Sequence, residues 1–250
     1  MISAKKRMVN DRMLEFSLDS ARSQWGSERK TTTLSLPEQI AEQVGKSIIE
    51  GEYEPGARIQ EQELAEQFEV SRGPVREALR ILEQHGLVQI TARKGAQITN
   101  LTAEEVRQIF DVRVNLVGLA AWEATRHQDP DFLSQIKKRS EFLMQLAKTS
   151  DNVDEYVSSS YQTNVLIMMA SRNKFLKSII LSLALQTMRY TRLGLSSKAR
   201  RIQSAGNYQS LSKAMIKNDP TLAKEIAERL VSESREMAVS LLEQQSDEPV

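Results

Sequence analysis

Residues 59–98 constrain this 250-residue chain more than any other stretch. Their order predicts a short helix, a turn, a second helix and a two-stranded wing. Leu64, Ala65 and Phe68 give a first helix over 61–68 one apolar face. Glu69, Val70 and Ser71 form the turn. Ser71 suits the N-cap, where a hydroxyl accepts a backbone N–H left over by the first turn. Pro74 falls inside that turn, where its missing N–H costs nothing. The second helix is expected to run to about Gln84, burying Val75, Ala78, Leu79 and Leu82, and Gly86 suits the left-handed residue that stops it. Arg72, Arg76 and Arg80 recur every fourth residue on the opposite face. A helix of this kind fits the major groove of DNA, where Arg can donate two bonds to guanine O6 and N7. Residues 87–91 and 96–99 read as a hairpin whose tip is Ala92-Arg93-Lys94-Gly95, and a basic tip can lie against phosphates or enter the minor groove. A row of arginines on a helix is most often a solvated face. Here it shares about 40 residues with a capped turn and a basic wing, a combination that points to DNA binding.

Net charge alone does not announce such a partner. The chain carries 34 Lys+Arg and 33 Asp+Glu. Residues 34–100 hold 7 basic against 11 acidic residues, a balance of −4. Attraction for DNA therefore has to come from the local placement of charge. Cysteine is absent, which excludes disulfides and thiol catalysis. No apolar run approaches the ~18 residues of a membrane helix, and the opening MISAKKRMVNDR has no apolar segment of the signal-peptide kind. A cytoplasmic protein without membrane contact is the expectation. Few aromatics and few glycines favour helices.

The fold class expected is mainly α: an N-terminal winged helix-turn-helix over 34–101, then an all-α bundle of about six helices over 102–245. A flexible extension over 1–33 carries a balance of +3 and reads as a disordered tail, although basic arms can follow phosphates. A frayed tail is expected over 246–250. Ser35-Leu36-Pro37-Glu38 is a capping box that starts the first helix, with Ile40, Val44, Ile48 and Ile49 as its apolar face and Gly51 as its stop. Thr102 and Glu105 form a second capping box. Helices are expected at roughly 103–126, 130–149, 152–171, 174–193, 197–217 and 220–245, with Asp129-Pro130 and Asp219-Pro220 as cap-then-proline starts.

Polar residues interrupt the apolar stripes of this second half. Arg113 sits between Phe110 and Val117 on the stripe of the first bundle helix. A buried guanidinium needs an anion, from another helix or from a ligand, unless it snorkels to the bundle's end. Ser160 and Asn164, four apart, share the inner face of the third bundle helix. Tyr208 aligns with Leu211 and Met215 on the fifth, and a buried hydroxyl there wants a partner. These four are the candidate residues for a ligand held inside the bundle. Arg189 and Arg192 are weaker candidates that a solvated face also explains.

The first half resembles the winged-helix domain of GntR-type bacterial transcription regulators. The likeness rests on Gly51, Pro55-Gly56, Ile59, Leu64-Ala65, Val70-Ser71-Arg72, Pro74 to Leu79, Leu82-Glu83, Gly86-Leu87-Val88 and Gly95. It implies that Arg72 and Arg76 contact DNA and that Gly95 lies at the wing contact. Gln62 occupies a position often basic in that family. With Ser71, Arg80, Arg93 and Lys94, these form the candidate DNA-binding set. The second half is similar to the helical effector domain (FCD) of the FadR-type branch, through Asp111-Val112-Arg113, Ala170 to Asn173, Ala214 to Ile216 and Asp219. That likeness implies a homodimer binding a pseudo-palindromic operator as a repressor, with a small organic-acid-like effector in the bundle. Many relatives hold a metal there on one Asp and three His. The matching positions here are Ser160, Asn164, Tyr208 and Leu230, and the chain has only His85 and His127, so neither metal nor cofactor is expected. Two other readings stand beside the repressor. The bundle could serve dimerisation alone, or it could be an enzyme, which finds no nucleophile motif, phosphate loop or metal cluster in support.

Overall fold

The computed structural model describes residues 34–247. The basic extension 1–33 and residues 248–250 of the expected tail lie outside the described residues. The chain divides into two compact units, with a break between Leu101 and Thr102.

The first unit begins with α1 (Leu36–Glu50), where Glu38 reaches back to the Ser35 backbone N–H at 2.8 Å and Gly51 closes the helix at φ 82°. Then come β1 (Arg58–Ile59), α2 (Glu61–Gln67), α3 (Arg72–Gln84), β2 (Val88–Thr91) and β3 (Gly95–Ile98). The two strands expected for the wing form as β2 and β3, and β1 joins them in one three-stranded sheet. Its strands run in the order β1-β3-β2, all antiparallel, with Ile59 opposite Ala96 and Arg58 opposite Gln97. A strand of two residues is too short to show a period in the sequence; its pairing with β3 is what defines it. The core joins Ile40, Val44 and Ile48 of α1 to Leu64 of α2, Val75, Leu79 and Leu82 of α3, and Val88 and Ile98 of the sheet. Each such side chain contributes about 1.5–3 kcal/mol of gross burial energy. At the end of α3, Gly86 takes φ 68°, and the Leu87 N–H donates to the Leu82 carbonyl at 3.0 Å. These are the features of a left-handed helix stop.

After Leu101 come α4 (Ala103–His127), α5 (Pro130–Thr149), α6 (Val153–Ala170), α7 (Lys174–Gly194), α8 (Lys198–Ile216) and α9 (Pro220–Asp247), which make up the second unit except for Leu181–Arg189 of α7, grouped with the first. The last helix continues through residues 246 and 247, where a frayed tail was expected. Side-chain caps define most starts: Asp129 accepts from the Asp131 and Phe132 N–H groups, Asn152 from Asp154 and Glu155, Asn173 from Leu176, and Ser197 from Arg200. α4 lies along α9 and α6, α5 packs on α6 and α8, and α8 packs on α9. α6 is the interior element. Tyr156, Val157, Ser158, Ser159, Ser160, Tyr161 and Thr163 are all buried, so the helix is covered on most sides. Ser160 donates to the Val157 carbonyl and Thr163 to the Ser159 carbonyl, both at 2.8 Å. These local bonds let short hydroxyl side chains enter a core without distant partners. Among the described residues, no helix is long and apolar enough to cross a membrane.

Candidate functional site

α2 and α3 set up the charged face of the first unit. The apolar stripe of α3 is buried, which turns Arg72, Arg76 and Arg80 outward, and all three are exposed. None is loose. Arg72 Nε donates to Gln62 Oε1 at 2.7 Å, and Gln62 Nε2 donates in turn to Glu66 Oε1 at 2.5 Å. Arg76 Nε pairs with Glu61 Oε2 at 2.7 Å, and Arg80 Nη1 with Glu77 Oε1 at 2.9 Å. Arg76 and Arg80 remain 60% and 65% exposed. Surface pairs of this kind are worth about 0–1 kcal/mol, so an incoming phosphate or base edge can replace them cheaply. Their effect is orientation: Arg72 and Arg76 are held across to α2, and Arg80 is held to Glu77 one turn back on α3 itself. Glu61 and Glu66 were not singled out in the sequence. The signal is in Glu61 beside Gln62 and in Glu66 one turn after it on α2.

Ser71 takes an N-cap backbone, φ −73° and ψ 164°, but its hydroxyl makes no cap bond. The side chain expected to satisfy the first turn of α3 is instead exposed beside Arg72. In the wing, Lys94 N–H donates to the Thr91 carbonyl at 3.0 Å, closing the tip. Arg93 sits at φ 66° and Gly95 at φ 80°. A Cβ at Gly95 would meet nothing within 4 Å, so backbone conformation rather than space calls for glycine there. Arg93 and Lys94 are exposed on the tip.

The interior of the second unit collects polar groups from α4, α6, α7, α8 and α9. Arg113 is 7% exposed, so it does not snorkel. Its Nη1 donates to Thr191 Oγ1 at 3.2 Å, and its guanidinium lies 4.9 Å from the Phe110 ring centre. Burial lowers its pKa to about 10, and the nearby Tyr208 and Tyr161 offset only part of that cost. The Tyr208 hydroxyl donates to Asn164 Oδ1 at 3.0 Å and approaches the Ser160 carbonyl at 3.4 Å. Burial raises the pKa of Tyr208. Arg113, Asn164 and Tyr208 thus converge. Ser160 contributes its backbone carbonyl, because its hydroxyl has turned onto its own helix. Arg192 does not lie on a solvated face: it is partly buried, and its Nε pairs with Asp154 Oδ1 at 2.6 Å.

A second set of interior groups carried no sequence signal. Arg200 and Arg201 are 8% and 3% exposed. Arg200 Nη1 pairs with Glu233 Oε2 at 3.1 Å, and Asn207 donates to the same oxygen at 2.9 Å. Arg201 Nη1 donates to the carbonyls of Leu195 and Ser196, at 3.2 and 2.7 Å. The Nε of each arginine is buried with no partner among the described residues. A buried donor left unmatched costs about 1–3 kcal/mol. Tyr156 faces Ser204 and both guanidiniums, and burial pushes its hydroxyl up to about 12.

The four positions where relatives of the FadR-type branch bind metal do not suit one here. Tyr208 and Asn164 bond to each other, Ser160 bonds to its own helix, and Leu230 offers no donor. Among the described residues, no group of three His, Cys, Asp or Glu is placed to hold a metal ion.

The family model described as bacterial regulatory proteins, gntR family, matches residues 36–98, and the FCD domain model matches residues 108–233. An uncharacterized HTH-type transcriptional regulator of Bacillus subtilis (strain 168), YdhC, is 34% identical over 142 residues, covering 57% of this chain and 63% of that protein. The gluconate operon transcriptional repressor of Bacillus licheniformis is 30% identical over 129 residues, 52% of each chain. The chain therefore spans between about half and just under two thirds of these relatives' length. The solved structure of E. coli McbR/YncC aligns with 86% of this chain and 100% of that one, at a TM-score of 0.67 and 23% identity, a likeness of fold. With the FCD match alone spanning half of the residues and the gntR match covering the winged helix, the chain belongs to the GntR family of bacterial regulatory proteins, as a winged helix-turn-helix followed by an FCD domain.

Proposed function

We propose that the protein is a DNA-binding transcription regulator, a repressor that binds a pseudo-palindromic operator as a homodimer and releases it in response to a small organic acid. The observation that carries DNA binding is the exposed row Arg72, Arg76 and Arg80 on a helix whose other face is locked into the core. α3 would enter the major groove, with Arg72 and Arg76 reading base edges or phosphates, Gln62 and Arg80 beside them, Ser71 at the helix start, and Arg93, Lys94 and Gly95 against the backbone. Two such helices in a dimer would address half-sites about 34 Å apart or less. The family supports a homodimer. So do exposed apolar residues on α4 and α7: Val112, Leu119, Phe175 and Ile179. The repressor reading follows the gluconate operon repressor, and a cytoplasmic, non-enzymatic role follows the family. Arg72→Ala and Arg76→Ala should each weaken binding to a cognate duplex at least tenfold while leaving the melting temperature unchanged. Unchanged affinity would reject the motif.

The effector site in this reading is the interior of the FCD domain, around Arg113, Asn164 and Tyr208, with Ser160 through its carbonyl. One observation favours a second reading, in which the bundle only dimerises. Tyr208 bonds to Asn164 and Arg113 to Thr191, so part of this polar interior is satisfied from within. Thermal-shift measurements of the full chain with small carboxylates separate the two. A stabilising acid whose effect disappears in Arg113→Met supports sensing, and an unresponsive wild type supports dimerisation alone.

A further inference from the structure

The polar interior of the FCD domain has two ends. α6 and α8 bring polar side chains together at two levels. Asn164 lies at Tyr208, and two turns away Tyr156 lies at Ser204, Arg200 and Arg201. On α6 these positions step by four, through Tyr156, Ser160 and Asn164. On α8, Arg201 and Tyr208 are seven residues apart, which is about 10 Å along the axis. One end therefore holds Arg113, and the other holds Arg200 and Arg201. The charge at the second end is not closed. Glu233 answers Arg200, but the bonds of Arg201 go to the neutral carbonyls of Leu195 and Ser196. Two guanidinium N–H donors there, the Nε groups of Arg200 and Arg201, are buried without an acceptor among the described residues. Donors so placed fit an anionic acceptor that the described residues do not supply.

We propose that Tyr156, Arg200, Arg201 and Ser204 form a second anion subsite, and that the effector is a dianion, such as a dicarboxylate, lying between this subsite and Arg113. The proposal rests on the effector reading above. A ligand with one carboxylate would meet Arg113 and leave the far donors unmatched. A ligand with an anionic group at each end would satisfy both ends and draw α6 and α8 together.

Isothermal titration of the full-length protein with two series of acids tests this. The first is butyrate, valerate and hexanoate; the second is succinate, glutarate and adipate. The expected result is that at least one diacid binds ten-fold or more tighter than the monoacid of equal carbon number. In Tyr156→Phe and in Arg200→Lys, which keeps a charge for Glu233 but loses the second donor, that preference should fall below about three-fold while monoacid affinity stays as in wild type. If Arg200→Lys does not fold, Tyr156→Phe, which removes a single hydroxyl, carries the test. Equal affinity for the two series in wild type would overturn the dianion proposal and leave the effector reading standing. Binding of neither series would overturn both. A diacid preference that survives in Tyr156→Phe would show that the second anion is held elsewhere and would overturn the subsite.

Discussion

Single side chains in this protein are placed by the partners they hold. Arg72 leans on Gln62 and Arg76 on Glu61, across the turn between the two helices. Removing Glu61 should therefore affect DNA binding in the opposite sense to removing Arg76. Glu61→Gln keeps an acceptor but removes a negative charge facing the phosphates, and it should strengthen binding by a few-fold at low salt and less at high salt. A salt titration of affinity checks this. Tyr208 makes a second prediction at this scale. Its hydroxyl is the donor to Asn164, and Tyr208→Phe leaves that amide oxygen with one partner fewer in a buried place. A loss of about 1 kcal/mol of stability is expected, read from chemical denaturation. The residues that sequence reasoning missed are instructive. Arg200 and Arg201 stand in Lys198-Ala199-Arg200-Arg201, which reads as the polar start of a helix. They are buried because Tyr156, on α6, and Glu233, on α9, come from 44 and 33 residues away. No local pattern encodes that. Arg113 could be found, because it broke an apolar stripe of its own helix.

Helices here are defined by their ends, and that is why the sequence located them closely. Thr102 with Glu105, Asp129 with Pro130, Asn173 and Ser197 are local chemistry, complete within four residues. β1 was missed because two residues make no pattern, and Ser71 was misjudged because sequence gives residue type but not rotamer. The contrast is measurable. Thr102 accepts from the Glu105 N–H at 3.2 Å, so Thr102→Ala should cost about 1 kcal/mol. Ser71→Ala removes no cap bond and should cost only a few tenths. Glycines give a sharper contrast between helix ends and helix interiors. At Gly194 a Cβ would come within 2.4 Å of the Ser234 backbone carbonyl, while at Gly206 it would meet nothing within 4 Å. Gly194→Ala should therefore destabilise the FCD domain by about 1–3 kcal/mol, because backbone has to move. Gly206→Ala, inside α8, should stabilise it by roughly 0.5–1 kcal/mol through helix propensity and a less disordered unfolded chain. Melting curves of the two variants should shift in opposite directions.

For the whole molecule, the two units have different tasks and different chemistry. The first presents arginines on a surface whose total charge is acidic, so affinity depends on where charge stands. The second buries arginines and tyrosines in a bundle, which is costly unless something anionic completes it. If the protein is the ligand-responsive homodimer proposed above, regulation would consist of a ligand that favours one arrangement of that dimer over another, by no more than its difference in affinity for the two. That α3 reads DNA can be measured directly. The purified full-length protein would be used to select binding sites from a random pool of duplex DNA, alongside Arg72→Ala and Arg76→Ala. The wild type should enrich one pseudo-palindromic sequence, which the two variants fail to enrich although they melt at the wild-type temperature. Absence of any enriched sequence with the wild type, or the same sequence enriched equally by all three proteins, would contradict it.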